Sequence, residues 1–394
     1  MKILHKISKL KQDWNTSSPI WRLNRLLKVG KFGGYLVGIR FLGDCKIVWY
    51  SGKTGFVISI YYILAIYTLI HYAMENRIVD GLPCWSMSGL YLSSMVAYAN
   101  ALTKRHRIYK IGHFGQTYLY NEEFDEICSK SVNKTVKRFM IIMGIILASV
   151  ILGSINPVYI WYRDGIFYSL AGVRFPFVEQ NSNLNIMLNI ILQLLLGYNA
   201  INGLTLLQTY QGTLMNAIEL SADISIKEMI NLSDYLEGGN ADDAVIKKHI
   251  TKIFRQIQRI DGYIKNASDC HYWYFFLSSP FITYSIGLSI YAQYIMGFPP
   301  GYGIALMSYV QMAVLYYIGQ VVVDRNNRIR YSLYSDLKWY LLPPKYQRDV
   351  CFMMKRMQNG ATLTIGPFQT LNFETLRILT QRIQSFIMFL LNFH

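Results

Sequence analysis

The stretch ETLRILTQRIQSFIMFLLNFH, Glu374 to His394, is about long enough to cross a bilayer, yet it is not apolar on every side. At ~100° per residue, Arg377, Thr380, Gln381, Gln384, Ser385 and Asn392 fall within one arc about 140° wide. Met388 is the main large apolar residue in that arc, and Leu391 also lies within it. Leu379, Ile383, Phe386 and Leu390 gather on the opposite side. Amides and guanidinium groups facing hydrocarbon lose their hydrogen-bond partners, so a helix so striped is not surrounded by lipid. Its polar face borders either water or another helix.

Outward from this stretch, the chain of 394 residues is 52% hydrophobic and 16% charged, and its mean hydropathy is positive. The apolar residues gather into seven spans: Thr54–Ala73, Pro83–Leu102, Phe139–Ile160, Leu184–Leu206, Tyr272–Met296, Ile304–Val323 and Thr375–Asn392. Each is near the ~20 residues a helix needs to cross hydrocarbon. The net charge of +16 follows the spans: 34 of the 39 Lys and Arg lie before the first span or in alternate connections. By the positive-inside bias that side is cytoplasmic. The expected fold is therefore an all-α membrane protein of seven transmembrane helices, amino terminus cytoplasmic and carboxyl terminus extracellular. Topology accounts for the basic excess, so no nucleic acid is required as a partner.

The expected divisions are a cytosolic amino-terminal segment 1–53, transmembrane helices one to six over 54–330, a cytosolic segment 331–373 and the last helix 374–394. Within 1–53, Ile20, Leu23, Leu26 and Leu27 suit either a short amphipathic helix at the inner membrane surface or a solvated basic arm. Two connections, about 103–138 and 207–271, are long enough to form cytosolic helical extensions. The second carries a stripe of Ile246, Ile250, Ile253, Phe254, Ile257 and Ile260 leading into span five. A mobile acidic tip, Glu237 to Asp243, precedes it. Such extensions form an anchor region able to hold subunits together. The outer connection 159–183 is rich in aromatics, suiting a lid or an interfacial belt. Four N-x-[ST] sites, at Asn15, Asn133, Asn231 and Asn266, fall on the cytoplasmic side. Of five cysteines only Cys84 lies outside, so no disulfide framework or zinc spacing is expected.

No catalytic pattern, paired carboxylate within a span or phosphate-binding glycine loop is present, which argues against an enzyme. No cofactor or metal is implied. Aromatic and small polar residues recur in the outer halves of the middle spans: Tyr91 and Ser93, Ser149 and Ser154, Tyr198, Tyr284, Tyr291, Ser308, Tyr309 and Met312. As a group they suit a pocket for a small, mostly apolar ligand; singly, each also suits ordinary helix packing. In the last helix Gln381, Gln384, Met388, Leu391 and Asn392 would face a conduction path. One copy offers only one wetted face, so such a path requires several copies around an axis. Met388 could then form an apolar constriction.

Residues Tyr331-Ser-Leu-Tyr-Ser-Asp-Leu-Lys-Trp-Tyr, Met353-Met-Lys-Arg-Met-Gln358, Leu363-Thr-Ile-Gly-Pro-Phe368 and Leu371-Asn-Phe-Glu-Thr375 resemble, in order and spacing, the carboxyl-terminal region of insect odorant receptors. The chain departs from the family at Gln384-Ser-Phe-Ile387, where a Tyr is missing. The resemblance implies a tuning subunit of a ligand-gated, non-selective cation channel at the plasma membrane of olfactory neurons. Its implied partners are an odorant co-receptor subunit in a hetero-oligomer, a tetramer, together with a small volatile organic ligand, membrane lipid and permeating cations. No G protein is required. The alternatives are a gustatory-type homotetrameric channel and a solute transporter, although no internal repeat supports the latter.

Overall fold

The structure, a computed structural model, describes residues 19–37, 52–118, 124–165, 172–179, 182–239 and 242–392. Its helices are α1 (Pro19–Val37), α2 (Gly52–Met74), α3 (Leu82–Thr103), α4 (Arg105–Tyr118), α5 (Asp125–Asp164), α6 (Asn183–Glu237), α7 (Asp243–Met296), α8 (Gly301–Ser335), α9 (Pro344–Gln358) and α10 (Phe373–Leu391). A two-strand antiparallel hairpin, β1 (Thr364–Ile365) and β2 (Gln369–Thr370), precedes α10. The seven expected spans fall, in order, within α2, α3, α5, α6, α7, α8 and α10. Four of these, α2, α6, α7 and α8, are long and apolar enough to cross a membrane by length and composition alone. Helix α10 carries Glu374, Arg377 and Arg382 within its length.

The long helices explain the division of the molecule into two packed regions. At 1.5 Å per residue, the 55 residues of α6 extend about 80 Å, far beyond a hydrocarbon layer of ~30 Å. Helix α7, with 54 residues, does the same, and α5 and α8 also overrun. The overruns pack together at one end of the bundle, the anchor end. There Leu232 and Leu236 of α6, the isoleucine stripe of α7, and Ile329 and Leu333 of α8 form one apolar core. Helix α9 closes it with Tyr346, Val350, Met353 and Met357, all buried on one face. Of the predicted stripe, Ile246, Ile250, Ile253, Ile257 and Ile260 are buried, and Phe254 packs against the same core.

The expected boundaries at 206/207, 271/272 and 330/331 are not breaks. Each falls inside a continuous helix, because the helical pattern continues while its apolar face changes neighbours from the bundle to the anchor core. The 103–138 connection also differs in detail: α4 follows α3 after Lys104, and the start of α5 supplies the rest. Helix α1 is amphipathic as read, with Leu23, Leu26 and Leu27 buried against α5 and α6. Its Gly30 and Gly33 approach Thr209 and Asn202 so closely that a Cβ would collide or crowd them.

At the far end, residues 172–179 fold over α2. Arg174 donates its backbone N–H to Thr68 Oγ1 (2.8 Å) and pairs with Glu75 (3.1 Å). Its guanidinium sits over the Tyr72 ring, and Val173 is buried. This part of the connection is folded onto α2, with Phe177 fully exposed. Asn15, Cys45 and His394 lie outside the described residues.

Candidate functional site

Helix α10 is seated by its first residues. Asn372 caps it, accepting from the Thr375 N–H (2.8 Å), while the Thr375 hydroxyl returns to the Thr370 carbonyl (2.9 Å). The Phe373 N–H donates to Gln320 Oε1 of α8 (3.1 Å), and the Phe373 ring stacks on Tyr317. These contacts satisfy N–H groups that a helix start leaves without internal partners. Beyond the cap, α10 packs on α7 and α8 through Ile383, Leu376, Leu379 and Ile387. The Phe386 ring lies against Gly287, 3.2 Å from where a Cβ would stand.

The other side of α10 is open. Arg377, Gln381, Gln384, Ser385 and Asn392 are exposed, as is Met388 at 55%, whereas Thr380 and Leu391 are half-buried. Thus the face that the single chain leaves uncovered takes in most of the arc read from the sequence, with Leu391 at its margin, and extends past it to Phe386 and Phe389, exposed at 42% and 56%. Arg382 is exposed as well. No carboxylate other than Glu374 stands on the helix, and Glu374 is paired with Arg377 (2.6 Å).

A cavity of about 120 Å³ lies between α2, α3, α6 and α7. Its position follows from which turns reach it. Thr54 and Ile58 belong to the first two turns of α2, and Leu196 to Tyr210 lie past the middle of the apolar part of α6. His271 and Tyr274 stand where the apolar part of α7 begins. All three place the cavity between mid-bundle and the anchor end. At its floor the His271 ring is held from both sides, by Asn100 Nδ2 at Nδ1 (3.1 Å) and by Tyr210 Oη at Nε2 (2.9 Å). The Asn100 Nδ2 group can only donate, so Nδ1 accepts and the ring proton sits on Nε2, donating to Tyr210. Thr54 bridges the Asn199 Oδ1 (3.1 Å) and Val37 carbonyl (3.3 Å) at the wall.

Of the residues expected to form a pocket, Tyr91 and Ser93 line this cavity. The structure does not gather the rest around one space. The Ser308 hydroxyl turns back to the Ile304 carbonyl (2.7 Å) and meets Ser285 (3.4 Å) inside a closed α7–α8 seam. Met312 is fully buried in the core. Tyr284 and Tyr291 are half-buried, while Tyr198 and Tyr309 are exposed at 42% and 39%. The Ser154 side chain lies outside the described residues. The sequence reading missed Asn100, Tyr210 and His271. A signal existed: Asn100 and His271 sit at the anchor-side ends of two apolar spans, where a polar side chain needs a partner from a neighbouring helix.

Among the described residues no cluster of His, Cys, Asp or Glu could hold a metal. Comparison with known proteins places this architecture. Residues 117–381 match the family described as 7tm Odorant receptor. The fold is similar to that of the insect olfactory receptor OR5 from Machilis hrabei, solved in complex with eugenol. That likeness has a TM-score of 0.70 at 15% identity, covering 94% of this chain and 98% of that one. A second structure of the same receptor gives a TM-score of 0.69 at 13% identity, covering 94% of this chain and 97% of that one.

Proposed function

The chain belongs to the 7tm odorant receptor family, and from that membership we propose that it is the ligand-binding subunit of an odorant-gated cation channel. The reading extends to a plasma-membrane location with the anchor end in the cytosol, and to a hetero-oligomer with a co-receptor subunit. The family is one of membrane receptors rather than enzymes. The observation that carries the channel reading is α10: it is packed on α7 and α8 along one side, and its uncovered side bears amides, a hydroxyl and Met388, flanked by Phe386 and Phe389. Copies of that face arranged around an axis would enclose a hydrated path with an apolar ring at Met388. Gln381 and Gln384 would touch ions on the anchor side of the ring, and Asn392 on the far side. With no unpaired carboxylate on the face, selection among cations would be weak. The ligand class is small organic molecules, of the kind represented by the eugenol bound to the Machilis hrabei receptor. Tyr91, Ser154, Tyr198, Tyr284, Tyr291, Ser308, Tyr309 and Met312 are the proposed odorant-sensing set.

Whole-cell recording across a panel of volatiles, with and without a co-receptor subunit, tests this reading. Evoked currents that require both chains support it, and currents from this chain alone indicate a homotetramer of the gustatory type. Gln384→Ala and Met388→Ala should change relative cation permeability and rectification. If neither quantity moves in either variant, α10 does not line the pore.

A further inference from the structure

We infer that the anchor-side cavity, which shares only Tyr91 with the proposed odorant-sensing set, is a second ligand site that takes a compact uncharged organic molecule bearing a hydroxyl group. Charge decides the first part. Among the described residues, no Asp, Glu, Lys or Arg lines the cavity, and a bare ion there would lose its hydration without gaining a counter-charge. His271 is buried between Asn100 and Tyr210, and no carboxylate lines the cavity to hold it protonated. Size decides the second. The volume of about 120 Å³ is near that of a cavity of ~150 Å³ known to admit benzene, so one ring or a short branched chain fits.

The need for a hydroxyl comes from what the walls leave unused. The Tyr91 and Ser93 hydroxyls and the Gln311 amide line the cavity without a hydrogen bond to another described residue. Tyr91 is 9% exposed and Ser93 5%, and Gln311 is half-buried. Buried polar groups of this kind normally have a partner. The remainder of the wall is aliphatic or aromatic and gives a ring its contacts. A hydroxyl both donates and accepts, and so answers a hydroxyl and an amide together. A hydrocarbon of equal size would leave all three groups unserved.

The test uses the full chain in neutral-lipid nanodiscs, with Ala97→Cys on the cavity wall labelled by a small uncharged thiol reagent. The probes are benzyl alcohol, toluene and benzoate. At ten times its dissociation constant benzyl alcohol should slow labelling about tenfold, toluene less, and benzoate not at all. Gly144→Cys, on an open face of α5, controls for probe partitioned into lipid and should label at the same rate throughout. Ala200→Phe fills the cavity and should abolish protection, whereas Ser93→Ala with Gln311→Leu should erase the preference for benzyl alcohol over toluene. Equal protection by all three probes, or protection that survives Ala200→Phe, overturns the site. Should Ala97→Cys not fold, the thermal unfolding of the unsubstituted protein decides: benzyl alcohol must raise its midpoint more than toluene does. Protection in a protein that carries no current would sink the channel reading alone. Normal currents without protection would sink only this cavity.

Discussion

At the residue scale the most consequential pair is Asp261 with Arg325. Arg325 is the largest fully buried side chain. It donates to Asp261 Oδ1 and to Asn326 Oδ1, at 2.7 and 2.8 Å. Arg356 of α9 approaches the other Asp261 oxygen at 3.6 Å, and the Asn326 amide donates to the Ala361 carbonyl (3.0 Å). One carboxylate therefore links α7, α8, α9 and the segment leading to the hairpin. Removing one partner of a buried pair strands the other charge, at a cost of about 3–5 kcal/mol, whereas replacing both with apolar groups is often neutral. Asp261→Ala should thus lower the melting temperature of the detergent-solubilised protein sharply, and Asp261→Leu with Arg325→Met should recover most of the loss. If the double variant melts no higher than the single, the pair is not a self-contained unit. None of this was legible in the sequence, where Asp261 is one charge among many in an extension read as cytosolic and Arg325 another just past the sixth span. What makes them special is that α7 and α8 turn them toward each other.

The elements themselves were far more legible than the site. Every apolar span became a helix, because ~20 consecutive apolar residues leave the backbone no other way to satisfy its polar groups in lipid. The α10 arc was readable for a related reason: with one packed side and one polar side, its periodicity states the orientation directly. The middle helices are covered on most sides, so their tyrosines and serines carry no such signal, and the far-half pocket could not be resolved from them. Pattern alone also could not foretell how closely the hairpin segment presses on α8. A Cβ built on Gly319 would overlap the Leu371 carbonyl oxygen and its side chain. Because the obstruction includes backbone, trimming Leu371 does not relieve it. Gly319→Ala should therefore displace the hairpin and the seat of α10 while leaving the anchor core intact. Surface staining of an epitope inserted beside Phe177 should stay close to that of the chain without the substitution, and evoked current should fall strongly. Unchanged current would mean that α10 does not depend on this contact.

At the scale of the whole molecule, the open question is which end of the bundle faces the cytosol, and two exposed points on opposite ends can answer it. The charge asymmetry assigns the anchor end to the cytosol, since 34 of 39 basic residues fall in segments on that side. The turn at Glu237–Gly239 joins the anchor-end termini of α6 and α7, and Gly239 has a φ of +73° with open space around it, so an inserted epitope meets no neighbour there. Phe177, fully exposed in the cap over α2, offers the matching point at the far end. Neither position touches a packed core, so an epitope at either should leave folding unharmed. On intact cells an antibody should stain the epitope beside Phe177 and not the one at Gly239, and permeabilisation should reveal both. The reverse pattern would invert the bundle. It would turn the anchor core outward and place Asn231 and Asn266, which lie in the α6 and α7 extensions, where glycosylation could reach them. The electrophoretic mobility of the protein before and after glycosidase treatment reads the same orientation independently: the cytosolic assignment requires no shift arising from Asn133, Asn231 or Asn266.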